Sequence, residues 1–365
     1  MNDDQFMQIA VQKRYVTPGQ MCQSLDRQRQ LAEAGERKPL FLIAQDLGFI
    51  DKHRAGEILQ YLSSTEVRAL EIDGYRIAKK LGRGGMGVVY EGINAAGTSV
   101  AIKLLPSSFS DDPECVARFT VESRITQRLR HRHIVRTIGT GSVDGQRYLV
   151  MEIVRGPSLG DLLRRGNTLT EKEALVLLAQ MASALAYAWN HGVLHRDIKP
   201  SNILLAPPRR HDEPICAQLC DFGVAKIWSM TEQGMAYWQG KITGPGVSMG
   251  TPEYMSPEQA TGRDLDLRSD MYNLGATVYH TLVGREMFSG KAAEVLRNHR
   301  DTAPDMGAAL HKGISAQTIA ILATMLAKQP AARFQDWETL LEHLRPLAPD
   351  AVATAQVDAG SRLVW

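Results

Sequence analysis

The run Gly82-Arg83-Gly84-Gly85-Met86-Gly87 leads directly into Val88-Val89-Tyr90, and this junction limits the fold more than any other feature of the chain. A G-x-G-x-x-G run that binds a dinucleotide must open a helix, whose N-terminal amides meet the pyrophosphate. Here β-branched and aromatic residues follow the last glycine, which predicts a strand. The glycines then tip a hairpin, where backbone N–H groups approach phosphates without side-chain clash. A merely flexible hairpin fits these residues equally well, so other parts of the chain must decide.

The surrounding texture agrees with a sheet. Apolar and polar residues alternate through Tyr75–Leu81, and Ser99–Leu105 reads as a further strand. Arg118–Leu129 has the spacing of an amphipathic helix. Ile134–Thr140 and Arg147–Glu152 flank Asp144-Gly145, whose residues tolerate the positive φ of a tight hairpin. Beyond Gly156 the period changes to that of helices, with long runs at Glu171–Trp189, Asp270–Val283, Gln317–Leu326 and Trp337–Leu344. The prediction is an α+β chain. An antiparallel, β-rich lobe with one main helix covers 75–155, and a mostly helical lobe covers 156–347. Residues 348–365 lack periodicity and read as a flexible tail.

Residues 1–68 predict a separate helical module, regulatory or docking in role. It carries a weak echo at an offset of 34: Tyr15-Val16-Thr17 with Leu25 matches Phe49-Ile50-Asp51 with Leu59. In both copies a capping Thr or Asp follows apolar residues and precedes an apolar-periodic run. Pro18 falls at a first helical position, where its missing N–H is harmless. The echo loosely resembles helical N-terminal domains of bacterial secretion-type ATPases.

Composition removes several classes of function. The 42 basic and 40 acidic residues nearly cancel, so no field of one sign marks a nucleic-acid or membrane-surface binder. The N-terminus lacks a signal peptide's basic and apolar regions, and the longest apolar stretch, Ala174–Trp189, is too short and polar to span a bilayer. A cytoplasmic protein without a membrane span is expected. Cys216 and Cys220 have C-x3-C spacing, unlike a zinc knuckle, and with Cys22 and Cys115 are expected to be reduced.

Lys103 stands on the strand Val100-Ala101-Ile102-Lys103. Alternation puts it on one face with the small Ala101, leaving room for a planar base beside an amine that reaches phosphates. Glu122, on the following helix, is a candidate partner. A lone strand lysine is more often a solvated charge, and the later motifs decide between the two. The decisive run is His195-Arg196-Asp197-Ile198-Lys199-Pro200-Ser201-Asn202. After it come Asp221-Phe222-Gly223 and Gly250-Thr251-Pro252-Glu253-Tyr254-Met255-Ser256-Pro257-Glu258, with Asp270 and Arg333 beyond.

In this order the motifs resemble those of eukaryotic-like (Hanks-type) bacterial serine/threonine protein kinases, over about Tyr75 to Leu347. The resemblance implies the two-lobed kinase fold. It implies ATP and Mg²⁺ as cofactors and Ser/Thr hydroxyls of proteins as acceptors, with autophosphorylation and a possible activating homodimer. Asp197 would accept the hydroxyl proton, Lys199 would neutralise the transferring phosphoryl group, and Lys103, positioned by Glu122, would hold the α- and β-phosphates. Asn202 and Asp221 are oxygen ligands suited to Mg²⁺. Leu81, Gly82, Gly84, Gly85, Gly87, Val89, Ala101 and Leu204 would surround the nucleotide, with Met151 as gatekeeper and Glu152–Val154 as hinge.

The resemblance also implies a Glu258–Arg333 ion pair and an Asp270 brace beneath the His-Arg-Asp loop. Lys199, and Gly250-Thr251 before Pro252, point to the serine/threonine class. Thr251 would shape the acceptor site. Arg196 would receive a phosphate from the activation loop, with Thr243 first among the candidates and Ser248 and Thr231 behind it. Ser256 in place of alanine, and polar Thr126 where the family places an apolar residue, depart from the pattern. A nucleotide-binding pseudokinase scaffold and a small-molecule phosphotransferase are the alternative readings. His131 and His133 form a His-x-His that fits a structural loop better than a metal site.

Overall fold

In the computed structural model the glycine run closes one strand, β2 (Tyr75–Gly84), and opens the next, β3 (Gly87–Ile93). The structure describes residues 3–13, 15–36, 38–58, 71–84, 87–106, 113–207, 215–222 and 252–359. With β1 (Glu71–Ile72), β4 (Ser99–Leu104), β5 (Thr137–Val143) and β6 (Gln146–Glu152) they form one sheet in the order β1-β2-β3-β4-β6-β5. Asp144 and Gly145 join β5 to β6 at φ 48° and 79°, the left-handed values this turn requires. Antiparallel pairing sets the small Ala101 directly opposite Met151 and Lys103 opposite Leu149.

The helical lobe is built on two long helices, α7 (Glu171–Asn190) and α9 (Leu267–Val283). Thr170 caps α7 through a capping box with Glu173. Asp266 caps α9, and Gly284, at φ 84°, ends it. Both helices are buried on nearly every face because elements pack around them, and their apolar side chains form much of the main core. In the order of the chain, α5 (Pro113–Thr126) and α6 (Leu159–Arg164) precede α7. α8 (Pro257–Ala260) comes just before α9, and α10 (Ala292–Asp301), α11 (Met306–His311), α12 (Ala316–Met325) and α13 (Trp337–Leu344) follow it.

The expected flexible tail is corrected in part. Residues Pro349–Ala359 form a helix, α14, whose Val352 and Ala355 are buried and which packs on α7. The Ser183 hydroxyl of α7 donates to the Ala355 carbonyl at 2.6 Å. Small residues carry little hydrophobic signal, and a short helix gains its stability from docking, so periodicity did not announce it. Residues 360–365 lie outside the described residues.

By contact the chain divides into two units: Met1–Lys80 with Gly92–Gly97, and Leu81–Glu91 with Thr98–Trp365. In the first, α1 (Asp3–Gln12), α2 (Pro18–Glu33), α3 (Leu40–Asp46) and α4 (52–58) extend the echo seen in the sequence. Thr17 caps α2 through a capping box with Gln20, and Asp51 accepts the Arg54 N–H at 2.8 Å. The Tyr15 amide bonds the Ala10 carbonyl at 2.9 Å, and at the same offset Phe49 bonds Ala44 at 3.0 Å. Phe6 and Leu40, Ala10 and Ala44, Val16 and Ile50, and Met21 and Ala55 are pairs at that offset, and all are buried in one core. Helices α1–α4 are a tandem repeat of a two-helix element. Among the described residues no helix is long and apolar enough to cross a membrane.

Candidate active site

The residues from His195 to Asn202 follow α7 and are held from below by α9. The Asp270 carboxylate accepts from the amides of His195 (2.8 Å) and Arg196 (2.7 Å). Burial pushes the Asp270 carboxyl above its ordinary pKa. Arg196 takes φ 68°, a conformation non-glycine residues rarely adopt, and Gln259 donates to its carbonyl at 2.8 Å. The His195 ring reads out its own tautomer. Nδ1 accepts the Asp197 amide at 3.2 Å, so Nε2 carries the hydrogen and donates to the Cys220 carbonyl at 2.8 Å.

Three side chains meet at the end of this loop. Lys199 Nζ lies 2.8 Å from Asp197 Oδ2, and Asn202 Nδ2 donates to the Asp197 carboxylate at 3.0 Å and to its carbonyl at 2.8 Å. The antiparallel pair β7 (Ile203–Ala206) and β8 (Cys216–Leu219) then carries the chain back, and the Cys220 amide bonds the Asn202 carbonyl at 2.9 Å. Asp221 is thereby fixed beside the loop, at φ 67°. Burial would raise its carboxyl, but the Lys103 ammonium 2.8 Å away outweighs that and holds it below the ordinary carboxylate range. Phe222 packs edge-on to His195, ring centroids 4.6 Å apart. Lys103 is almost wholly buried, and Glu122 lies half-buried on α5.

The strands beside Lys103 contribute an apolar cluster. Ala101, Met151 and Val135 are buried in one cluster, with Val89, Val154, Leu204 and Cys220 packed against them. Ala101, Met151, Val89, Val154 and Leu204, named from the sequence as one group, are thus brought together; Val135 and Cys220 join them because burial depends on which strands become neighbours. Leu81 is an exposed side chain. Gly87 takes φ 122°, and a Cβ there would stand 1.9 Å from the Leu104 carbonyl oxygen, so the backbone contact requires glycine. Gly82 has open space where its Cβ would be. Gly84 ends β2, and Gly85 lies outside the described residues. The buried Thr126 donates to the Ser123 carbonyl at 3.1 Å and lines a small cavity behind Met151 with Asp221 and Phe222.

Supporting polar groups are satisfied in place. Arg333 grips Glu258 with two bonds of 2.7 and 2.9 Å, Ser269 adds a third at 2.7 Å, and the pair is buried. Burial alone would raise the Glu258 carboxyl; Arg333 reverses this and lowers it. The His-x-His is structural. His133 Nδ1 bonds the Ala217 carbonyl at 2.7 Å, and His131 Nε2 meets the Ser183 hydroxyl at 3.1 Å. Burial lowers their pKa values to about 4 and about 3. Thr231, Thr243, Ser248, Thr251 and Gly223 lie outside the described residues.

The comparisons with known proteins agree with this geometry. A family model described as a protein kinase domain matches residues 75–344. The serine/threonine-protein kinase PknA of Mycobacterium tuberculosis is 35% identical over 296 residues, 79% of this chain and 62% of that protein. The serine/threonine-protein kinase pkn3 of Myxococcus xanthus is 38% identical over 221 residues, 60% of this chain and 39% of that one. The chain thus spans less than two thirds of these relatives' length. Among solved structures, the Mycobacterium tuberculosis PknI kinase domain matches with a TM-score of 0.58 and 26% identity, covering 76% of this chain and 98% of that domain. Rad53 residues 1–466, in complex with AMP-PNP, matches in fold with a TM-score of 0.60 at 24% identity, covering 81% of this chain and 70% of that one.

Proposed function

This chain belongs to the protein kinase family, with bacterial serine/threonine kinases among its relatives, and on that premise we propose that it transfers the γ-phosphoryl group of ATP to Ser or Thr hydroxyls of proteins. The observation that carries the reading is the convergence of Asp197, Lys199, Asn202, Asp221 and Lys103, the last on β4 of the sheet that also holds β2 and β3.

The donor set fits a nucleotide with Mg²⁺. The Asn202 amide group is engaged by Asp197, which turns its carbonyl oxygen outward as a hard ligand, and Asp221 is kept ionised. These two residues would hold Mg²⁺, which neutralises triphosphate charge when bound. Ala101, Val89, Met151 and Leu204 would enclose the base, with Glu152–Val154 beside it. Lys103 would hold the α- and β-phosphates, with Glu122 as its support. Asp197 orients the acceptor hydroxyl and takes its proton, while Lys199, already beside Asp197, stabilises charge on the phosphoryl group in flight. Phosphoryl transfer asks mainly for alignment and fixed charge, and a loop braced by Asp270 supplies both. Arg196 has a buried Nε with no partner among the described residues, suited to a phosphate on the loop that carries Thr243, Ser248 and Thr231.

The test is incubation of the chain with labelled ATP, Mg²⁺ and a basic protein substrate, beside Asp197→Asn. Loss of a carboxylate base should lower transfer by about 10²- to 10⁴-fold. Equal labelling by the variant, or nucleotide binding without any transfer by the unaltered chain, overturns the proposal.

A further inference from the structure

One ion pair of the catalytic unit touches none of the reacting groups yet stands at the edge of the apolar cluster. Arg155 Nη2 donates to Glu91 Oε1 at 3.0 Å. Glu91 is on β3, and strand alternation puts it on the same face as Val89, one step further along. Val89 belongs to the apolar cluster around Ala101 and Met151; so does Val154, the neighbour of Arg155. The cluster therefore continues from its apolar members, Val89 and Val154, into an ionic contact, Glu91 and Arg155.

The pair is asymmetric. The Glu91 side chain is 8% exposed and that of Arg155 63%. A carboxylate so far removed from water depends on its charge partners, whereas the guanidinium keeps most of its hydration. The other side of the hinge is fixed as well. A Cβ on Gly156 would stand 1.9 Å from the Leu205 carbonyl oxygen, and the Leu205 amide bonds the Pro157 carbonyl at 2.9 Å. Residues 155–157 are thus joined to β3 above and to β7, the strand of Leu204, below.

We propose that Glu91 and Arg155 form a clasp that ties the β2–β3 flap to the hinge at the rim of the nucleotide slot, making Arg155 a positioning residue for ATP. This rests on the kinase reading above. The clasp holds the two walls at the spacing of a planar base before the nucleotide arrives, so less order is lost on binding. Asp197, Lys199, Asn202 and Asp221 are untouched by it, so chemistry at saturating ATP does not depend on it.

The experiment is steady-state kinetics and direct AMP-PNP binding for the full chain, Arg155→Ala, Arg155→Lys, Glu91→Gln and the Glu91→Gln/Arg155→Ala double variant. Arg155→Ala is expected to raise KM for ATP and Kd for AMP-PNP about three- to tenfold, with kcat within about twofold, the range of a half-exposed charge-assisted pair. Arg155→Lys should recover part of the loss. The double variant should bind no worse than the weaker single one, since both remove the same contact. A KM and Kd within twofold of the unaltered chain in Arg155→Ala overturns the clasp, as do additive effects in the double variant or a fall in thermal midpoint without a change in nucleotide binding. An unaltered chain that transfers no phosphate, yet binds AMP-PNP more tightly than Arg155→Ala, defeats the kinase proposal and leaves the clasp standing.

Discussion

In the N-terminal unit the buried side chains among the described residues are Phe6, Ala10, Val16, Met21, Leu40, Ile43, Ala44, Ile50, Ala55, Ile58, Ile72 and Ile77, with Ser24 the polar exception. The ion pairs Lys38 with Asp46, Arg54 with Asp51 and Arg29 with Asp26 in this unit are near the surface. The catalytic unit instead buries Lys103, His195, Glu258, Asp270, His299 and Arg333 within or beside its core. A unit that only has to hold its shape gains stability from apolar area, which degrades gradually. A unit that positions charge for a reaction must take charges out of water, and each then depends on particular partners.

Acid should separate the two units most strongly. Burial lowers the pKa values of His131 to about 3, His133 to about 4 and His299 to about 3. Each lies below the ordinary value of 6.5, so folding favours the neutral ring. Stability is complete above about pH 6.5 and is lost as pH falls towards the folded-state values, by about 1.4 kcal/mol per pH unit for each ring. Circular-dichroism melts between pH 7 and pH 4 should show this acid limb, and His299→Gln should shallow it. The N-terminal unit buries no histidine among its described residues, since His53 is exposed. A pH-independent melt of the catalytic unit would erase the contrast.

Next in size is Arg333→Ala, which strands Glu258 in the core and should cost about 3–5 kcal/mol in urea unfolding. Because the Glu258 carboxyl is lowered, its contribution is present above about pH 4.5 and fades as pH falls further. Smaller again is Thr17→Ala, which removes the cap of α2 and should cost about 1 kcal/mol of N-terminal unit stability. Lys38→Ala should cost about 0–1 kcal/mol by the same measurement, since its partner Asp46 is exposed. If Lys38→Ala proved as costly as Arg333→Ala, the division between the units would be mistaken.

How far these features could be read in advance depends on their range along the chain. Gly87 and its strand, the Asp144-Gly145 turn, the cap at Thr17 and the bounds of α13 at Trp337–Leu344 are set by residues a few positions apart, and all were legible. Asp197, Asn202 and Asp221 were legible as candidates through the spacing of their motifs. The echo between Val16 and Ile50 was visible only at its ends; the pairs Phe6 with Leu40 and Met21 with Ala55 emerged once the core was seen. α14 escaped notice because its buried face rests on two small side chains, Val352 and Ala355, and their burial depends on docking against α7. The Glu91–Arg155 contact left no trace at all.

What the amino-acid order determined alone was the succession of strands and helices and the identity of the polar groups, because hydrogen-bonded periods and capping act over one or two turns. Only the tertiary structure decided that Lys103 answers Asp221 and that Arg155 answers Glu91. Those pairings join distant segments, and an ion's preference among partners is settled by where water has been excluded, which no stretch of chain can specify by itself.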